Sequence, residues 1–234
     1  MCKYLWRYVD LAKFIRLIAT RTLHFTRIDQ FKDKFEGSYP LRNLRDWEQK
    51  YPEVGDFKHY RKFACVSCWY ESIHESAAMW EIYGKDGQGI AIRTIRERLE
   101  ESLQDDGLIF EGVKYIDFLR EKANISTPYD AFLCKRIEFK SEKEFRVAIF
   151  KLPESDVFDD GFPRFGSPEK QEGFPEGGID LDVNVETLIE RIVLSPYSMK
   201  WYRVLVKDIL VRYNLERLTV AESELTLDPV YPKQ

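Results

Sequence analysis

The chain has 234 residues, of which 44% are hydrophobic and 32% are charged, and its formal net charge is −4. This balance predicts a folded protein of one domain, or at most two small ones, and excludes an intrinsically disordered chain. No apolar run approaches the roughly 20 residues of a membrane helix, and the N-terminus lacks the layout of a signal peptide. Four cysteines in a chain of this length do not indicate a disulfide scaffold, so we expect a cytoplasmic protein without a membrane partner.

Charge is spread unevenly along the sequence. Residues 1–50 hold eleven Lys or Arg and six Asp or Glu, whereas residues 151–190 hold three basic and eleven acidic residues. A basic segment attracts anionic ligands and an acidic one repels them. The pattern indicates anionic partners only weakly, because ordinary protein surfaces show similar unevenness.

The first part of the sequence predicts two strands separated by a helix. The segment "KYLWRY" alternates between aromatic and other side chains, which predicts a strand with Arg7 on its less aromatic face. Asp10 is placed to cap a following helix, whose apolar residues recur with helical spacing. "TLHFT", with His24 at its centre, predicts the second strand.

The rest of the chain predicts more strands than helices. Apolar runs predict six further strands: "FACVSCW", "IAIR", "LIFEGVKYI", "KSEKEFRVAIF", "IERIVLS" and "LTVAESEL". Shorter helices are predicted at "ESAAMWEIYG", ended by a left-handed Gly84, and at "PYDAFLCKRI", which begins at Pro128. The longest predicted helix, "SMKWYRVLVKDILVRYNL", places four residues near one face: Trp201, Leu205, Asp208 and Val211.

These elements predict a mixed α+β fold with seven or eight strands, formed as a single domain over residues 1–234. Strands and helices do not alternate strictly, which argues against a doubly wound parallel sheet. Residues 152–178 contain Gly and Pro without periodicity and predict an irregular loop. Neither a G-x-G-x-x-G after a strand nor a P-loop occurs, so the common nucleotide-binding loops are excluded.

The strand predicted at "KSEKEFRVAIF" has an unusual charge pattern. Glu142, Glu144 and Arg146 occupy alternate positions, so on a strand they share one face, about 7 Å apart in succession. Arg146 beside two carboxylates favours their ionised forms. Either a charge ladder on an edge strand or a catalytic site accounts for such a pattern.

A metal site is not expected. The three histidines lie far apart in sequence, and Cys65 and Cys68 would face opposite sides of a strand. The G-x-S-x-G elbow of serine hydrolases is also absent. His24 is either a satisfied structural histidine or a polar group in a cleft.

Three short motifs occur in a fixed order: F-x-D-x-F-E-G at residues 31–37, M-W-x-x-Y-G at 79–84, and E-x-E-F-R at 142–146. Together they resemble a bacterial family, the domain-of-unknown-function family 2971. The resemblance extends from about Tyr4 to Leu194. The family usually has Asn-Asp-Pro where this chain has Lys-Asp-Lys at residues 32–34, which leaves the role of that loop open.

The layout also resembles that of ADP-ribosyltransferases, in which an arginine-bearing strand, a hydroxyl-bearing strand and a late E-x-E strand follow one another. The resemblance implies a mixed, largely antiparallel split sheet with flanking helices. It implies that Arg7 contacts NAD, that Thr26 is the hydroxyl of the second strand, that Glu144 is the catalytic glutamate, and that Glu142 is its companion carboxylate.

The implied chemistry needs NAD as a substrate and no metal. Cleavage of the nicotinamide–ribose bond builds positive charge on the ribose, which a fixed carboxylate stabilises. Trp80 or Tyr83 would stack on the nicotinamide. Arg146 would keep the carboxylates ionised. His24 is expected to be a polar group of the same NAD-binding site.

Three functions remain open at this point. The first is an NAD-dependent ADP-ribosyltransferase that acts as a toxin or phage-defence effector and that an antitoxin chain neutralises. Its acceptor is RNA or protein, and the basic N-terminal portion slightly favours RNA. The second is a metal-dependent nuclease or phosphodiesterase with magnesium held by Asp33, Glu36, Glu142 and Glu144. The third is a non-catalytic sensor or interaction domain, in which the charged strand forms an edge ladder.

Overall fold

The computed structural model describes residues 3–50, 57–125, 128–151 and 172–229. The strands in this part of the chain are β1 Tyr4–Val9, β2 Thr22–Arg27, β3 Ala64–Ser72, β4 Ile90–Thr94, β5 Ile109–Gly112, β6 Lys114–Ile116, β7 Cys134–Arg136, β8 Glu144–Phe150, β9 Ile179–Asp182, β10 Arg191–Leu194 and β11 Val220–Glu222. The α-helices are α1 Leu11–Thr20, α2 Leu41–Lys50, α3 Ala77–Tyr83, α4 Arg96–Ser102, α5 Val185–Leu188 and α6 Lys200–Arg212. Among the helices described, none is long and apolar enough to cross a membrane.

Most strand pairings are antiparallel. They include β1 with β3 and β4, β4 with β10, β2 with β3, and β5 with β8. The pairings of β10 with β11 and of β6 with β7 are parallel. The predicted fold class, mixed α+β with a largely antiparallel sheet and several helices, is therefore confirmed.

The chain divides into two compact units. Unit 1 comprises Met1–Leu23, Trp69–Gln104 and Leu181–Gln234, and unit 2 comprises His24–Cys68 and Asp105–Asp180. The prediction of a single domain over residues 1–234 stays a prediction. Of the irregular loop predicted at 152–178, residues 152–171 lie outside the described residues.

Unit 1 has an aromatic interior. A cluster of buried residues combines Trp6, Tyr8, Trp80, Ala91 and Val193. The aromatic residues of β1 that alternate in sequence therefore pack inward, as expected for one face of a strand. Each large side chain that is fully buried contributes about 1.5–3 kcal/mol relative to an exposed one.

Helix α1 follows its predicted pattern. The Asp10 carboxylate accepts a hydrogen bond from the backbone N–H of Lys13 at 2.7 Å, which satisfies one of the unpaired donors of the first turn. Phe14, Leu17 and Ile18 are buried on one side. A polar cap and an apolar stripe of helical spacing together explain why this segment is a helix.

Two details of unit 1 add to the predictions for its helices. Helix α3 ends at Gly84 as predicted, but Gly84 has φ −133° rather than a left-handed conformation. Packing excludes a side chain there instead, because a Cβ would lie 2.7 Å from Trp80 Cε3. On α6, the face predicted to carry Trp201, Leu205, Asp208 and Val211 is exposed at its large apolar residues, and the core side is formed by Tyr202, Val206 and Leu210.

Unit 2 contains β8 and the first part of β3, residues 64–68. One buried cluster consists of Ile28, Tyr60, Ala64, Val66, Phe132 and Ala148. The helix predicted to begin at Pro128 is confirmed only in its first part, as the 3₁₀ helix Pro128–Leu133. The rest of the predicted helix is wrong, because β7 follows directly and a second 3₁₀ helix, Ile137–Glu142, comes after it. Pairing of β7 with β6 overrides the helical spacing of this segment, because a strand here gains a neighbour.

The strand predicted through Glu142 begins later than expected. β8 starts at Glu144, and Lys143 adopts a left-handed conformation with φ 39°. Glu142 therefore ends a 3₁₀ helix rather than lying on the strand. The prediction that Glu142, Glu144 and Arg146 share one strand face is correct for Glu144 and Arg146 and wrong for Glu142.

Candidate functional site

Five charged side chains of unit 2 form one connected ion cluster: Glu36, Lys135, Glu142, Glu144 and Arg146. Lys135 Nζ lies 3.1 Å from Glu36 Oε1, 2.5 Å from Glu142 Oε2 and 2.8 Å from Glu144 Oε2. A single ammonium group therefore bridges all three carboxylates, and its three N–H donors match this number of acceptors.

Arg146 is the second cation of the ion cluster and is fully buried. Its Nε donates to Glu144 Oε1 and its Nη2 to Glu36 Oε2, each at 2.6 Å. Its Nη1 donates to the carbonyl oxygen of Phe132 at 2.6 Å. Every guanidinium nitrogen thus has an acceptor, as a buried arginine requires.

Local backbone geometry explains how these groups meet. Glu144 and Arg146 are two residues apart on β8, so their side chains leave the same face. Glu36 precedes Gly37, which has φ +69° and whose Cβ would lie 3.0 Å from side-chain atoms of Ile28 and Phe132. Only glycine fits this turn without strain. The Glu-Gly pair of the first motif therefore directs a carboxylate into the interior.

The ion cluster is buried at one end and exposed at the other. The side chain of Glu144 is 5% exposed, whereas that of Glu142 is 35% exposed. Glu36 and Arg146 are fully enclosed. Glu142 is therefore the group through which the ion cluster reaches solvent.

Electrostatics keep the interior of the ion cluster charged. Burial alone would raise the pKa of Glu144, but the charges of Arg146 and Lys135 and their hydrogen bonds outweigh it and lower this pKa to about 2. Burial alone would lower the pKa of Lys135, and the charges of Glu144 and Glu36 outweigh that effect and raise it. Glu144 is therefore ionised and Lys135 protonated at neutral pH.

Cys68 extends the ion cluster on the sheet face. Its thiol forms a hydrogen bond with the Glu144 carboxylate, and burial, followed by the charge of Glu144, raises the pKa of the thiol. Cys68 is consequently a neutral donor rather than a thiolate nucleophile.

Two further predicted residues share this sheet face. Thr26 of β2 lies directly opposite Val66 of β3, and cross-strand partners point to the same side. Cys68 follows Val66 by two residues, and His24 precedes Thr26 by two. The structure thus places Thr26 and His24 on the face that carries Cys68 and Glu144. His24 Nδ1 lies 2.9 Å from Asp180 Oδ1.

The remaining predicted residues, Arg7, Trp80 and Tyr83, belong to unit 1. The Arg7 guanidinium carbon lies 5.6 Å from the ring centroid of Trp69, a cation–π distance. Trp80 is fully buried, donates its ring N–H to Glu75 at 2.6 Å and packs edge-on against Tyr8. A buried ring has no free face for a ligand.

Tyr83 is 45% exposed. Of the two aromatic rings predicted to stack on a nicotinamide, only Tyr83 therefore retains accessible surface.

Sequence reasoning does not identify Lys135 and assigns Glu36 only to a metal site. Lys135 lies in a segment whose spacing favours a helix, where a single lysine has no special meaning. The available signal is that the defined positions of the first and third motifs hold four carboxylates, Asp33, Glu36, Glu142 and Glu144, and a single cation, Arg146. Carboxylates that become buried require cationic partners.

Comparison with known proteins places this geometry in context. Residues 79–147 match the model of a family described as protein of unknown function (DUF2971), which confirms the resemblance carried by the second and third motifs. No curated protein matches the sequence.

The chain is also similar to solved structures of DarT from Thermus sp. 2.9. The structure in complex with NAD+ is 8% identical, with 95% of this chain and 96% of that chain covered and a TM-score of 0.45. The complex with ADP-ribosylated ssDNA is 10% identical, with coverages of 94% and 93% and a TM-score of 0.43. Alignments at this level assign no residue roles in this chain. The match to the family of unknown function, by contrast, spans the segment that supplies Lys135, Glu142, Glu144 and Arg146.

Proposed function

We propose that this protein is an NAD-dependent ADP-ribosyltransferase that uses Glu142 and Glu144 as its catalytic carboxylates. The observation that supports this proposal most strongly is the ion cluster itself, which holds an ionised Glu144 and a partly exposed Glu142 side by side. Thr26 and His24 lie on the same sheet face, in the order of strands that the resemblance implies.

The reaction would proceed by displacement at the ribose. The bond between C1′ and the nicotinamide nitrogen breaks, and its electron pair leaves with neutral nicotinamide. Positive charge then develops on the ribose, where a fixed carboxylate stabilises it more than it stabilises bound NAD. An acceptor nucleophile forms the new bond to C1′, and its proton passes to a carboxylate acting as general base.

The residues of unit 1 are independent parts of the proposal. Arg7 is proposed to bind the NAD pyrophosphate, since guanidinium pairs with phosphate oxygens in a bidentate manner. Tyr83 is proposed to stack on the nicotinamide ring. Each of these two roles is testable by its own substitution without reference to the ion cluster.

The acceptor is proposed to be a macromolecule in the cytoplasm. The basic excess in residues 1–50 favours a nucleic acid over a protein, and RNA is the acceptor predicted from the sequence. One DarT structure contains ADP-ribosylated ssDNA, so single-stranded DNA is an equal candidate. Roles as a toxin or phage-defence effector and neutralisation by an antitoxin chain belong to the same proposal.

The metal-dependent alternative finds less support. Its four carboxylates are already paired with cations of the chain: Asp33 accepts from Arg136 Nε at 3.0 Å, and the others contact Lys135. A magnesium ion would have to compete with these contacts.

The edge-ladder form of the non-catalytic alternative also loses its basis. β8 pairs with both β3 and β5, so it is not an edge strand, and Glu144 and Arg146 are buried. A purely structural ion cluster is the form of that alternative that an experiment has to test.

The test is transfer of label from NAD. Purified protein is incubated with NAD labelled in the adenosine part and with single-stranded DNA, RNA or cell protein, and free nicotinamide is measured in parallel. We expect wild-type protein to release nicotinamide and to label one acceptor class. Glu144→Gln should reduce this by at least about 100-fold, a typical cost of losing electrostatic stabilisation of the transition state.

Glu186→Gln is the matched control, because Glu186 pairs with Arg21 in an exposed ion pair of unit 1. This variant should keep wild-type turnover. Circular dichroism and thermal unfolding establish that each variant is folded. Absence of NAD turnover with every acceptor class would overturn the proposed function.

A further inference from the structure

The ion cluster contains an odd number of charges. Three carboxylates face two cations, so in their ionised forms one negative charge has no cationic partner of its own. Such a surplus is costly in the interior and cheap near water, because burying an unpaired charge loses its hydration.

The contacts show where the surplus lies. Glu36 and Glu144 each contact both Lys135 and Arg146. Glu142 contacts only Lys135, and it is also the most exposed member of the ion cluster. Both criteria, pairing and exposure, place the uncompensated negative charge on Glu142.

We infer that Glu142 is the carboxylate that touches the substrate, and that Lys135, Glu144 and Arg146 are positioning residues that act through it. This assignment rests on the proposed function and reverses the roles that the resemblance implies for Glu142 and Glu144. A partly exposed anion that contacts a single cation is suited to a positively charged partner, the developing cation of the ribose. Glu144, with its oxygens directed at Arg146, Lys135 and Cys68, is suited to hold Lys135 in place.

Chemical modification tests substrate contact without relying on turnover. A water-soluble carbodiimide with glycine ethyl ester converts accessible carboxylates to amides, and mass spectrometry locates them. We expect modification at Glu142 and little at Glu144, and we expect NAD to protect Glu142 at least several-fold. Glu186, an exposed carboxylate of unit 1, serves as the internal control that NAD should leave unprotected.

Substitutions at Lys135 test the positioning role. Lys135→Arg keeps the charge and should retain at least about a tenth of wild-type turnover, whereas Lys135→Met should lose about 100-fold, mainly in kcat. The acid limb of the pH profile of kcat/KM should move to higher pH in Lys135→Met, because a carboxylate that loses an adjacent cation ionises less readily. Cys68→Ala removes a donor to Glu144 alone and should leave that limb unchanged.

The outcomes separate the two proposals. Turnover without protection of Glu142, or full turnover in Glu142→Gln, would overturn this inference and leave the proposed transferase activity, with Glu144 as its carboxylate, intact. Protection of Glu142 by NAD without any turnover would support substrate contact and overturn the transferase activity. If Cys68→Ala shifts the acid limb of the kcat/KM profile, Glu144 and not Glu142 is the carboxylate that contacts the substrate.

Discussion

The two units fill their interiors in different ways. Unit 1 packs Trp6, Tyr8 and Trp80 together, and the Trp80 N–H finds its acceptor in Glu75. Unit 2 encloses Lys135 and Arg146 with carboxylates. Ring burial is favourable in itself, whereas buried ions gain little over apolar residues of the same size. Stability therefore explains the interior of unit 1, and the ion cluster of unit 2 calls for a functional reason.

The largest loss of stability is expected when a buried cation of the ion cluster is removed. Arg146→Met leaves Glu36 and Glu144 buried beside a single cation, and we expect it to destabilise the protein by about 3–5 kcal/mol. Urea denaturation measures the loss. Arg21→Met, which removes a cation from an exposed pair, should cost less than about 1 kcal/mol. Equal losses in the two variants would contradict the distinction between buried and exposed charge.

Acidification should destabilise unit 2 because it protonates Glu144. Since the folded pKa of Glu144 lies near 2, below its ordinary value of 4.5, its ionised form stabilises the folded state above that ordinary value. The contribution, of the order of 3 kcal/mol, should disappear as the pH falls from about 5 towards 2. Thermal unfolding of wild type and Glu144→Gln across this range measures it. A constant difference between the two proteins would show that the pKa is not lowered.

A smaller effect is expected in unit 1. Trp80→Phe keeps an aromatic ring and deletes the N–H that donates to Glu75, which retains donors from Ser223 and Glu224. We expect a loss of about 1–2 kcal/mol in urea denaturation. NAD turnover should be unchanged, because the ring is enclosed. A large rise in KM for NAD with unchanged stability would instead place Trp80 at the ligand.

Tyr83 should show the opposite balance. Its ring is partly exposed, so Tyr83→Ala should change stability by less than about 0.5 kcal/mol. If the ring stacks on nicotinamide, KM for NAD should rise about tenfold, which steady-state kinetics would detect. The adjacent exposed Ile82 offers a control, since Ile82→Ala should leave both quantities unchanged.

Local patterns in the sequence predict much of the fold. The alternation of "KYLWRY" and the cap at Asp10 lead directly to β1 and α1, because period and cap are properties of neighbouring residues. The same local patterns do not predict the structure of the segment from Pro128 to Glu142. Its spacing favours a helix, and its strand arises from pairing with Lys114–Ile116, which local spacing does not report.

The candidate site is predictable only in part for the same reason. Glu142, Glu144 and Arg146 stand out because they are close in sequence. Glu36 lies 110 positions from Arg146, and only the fold brings the two together. The alternation of charged side chains also predicts a strand that includes Glu142, two residues before β8 begins. The alternation does not reveal that Lys143 adopts a left-handed conformation.

Lys135 lies at the middle of β7, whose ladder in the small sheet joins Cys134–Arg136 to Lys114–Ile116. Two-stranded sheets are marginally stable, and weakly held segments open far more often than the whole protein unfolds. Opening of this ladder would withdraw Lys135 from all three carboxylates at once. The lifetime of a competent site would then be set by the opening of a three-residue strand, which hydrogen exchange of its backbone amides would report, and not by global unfolding.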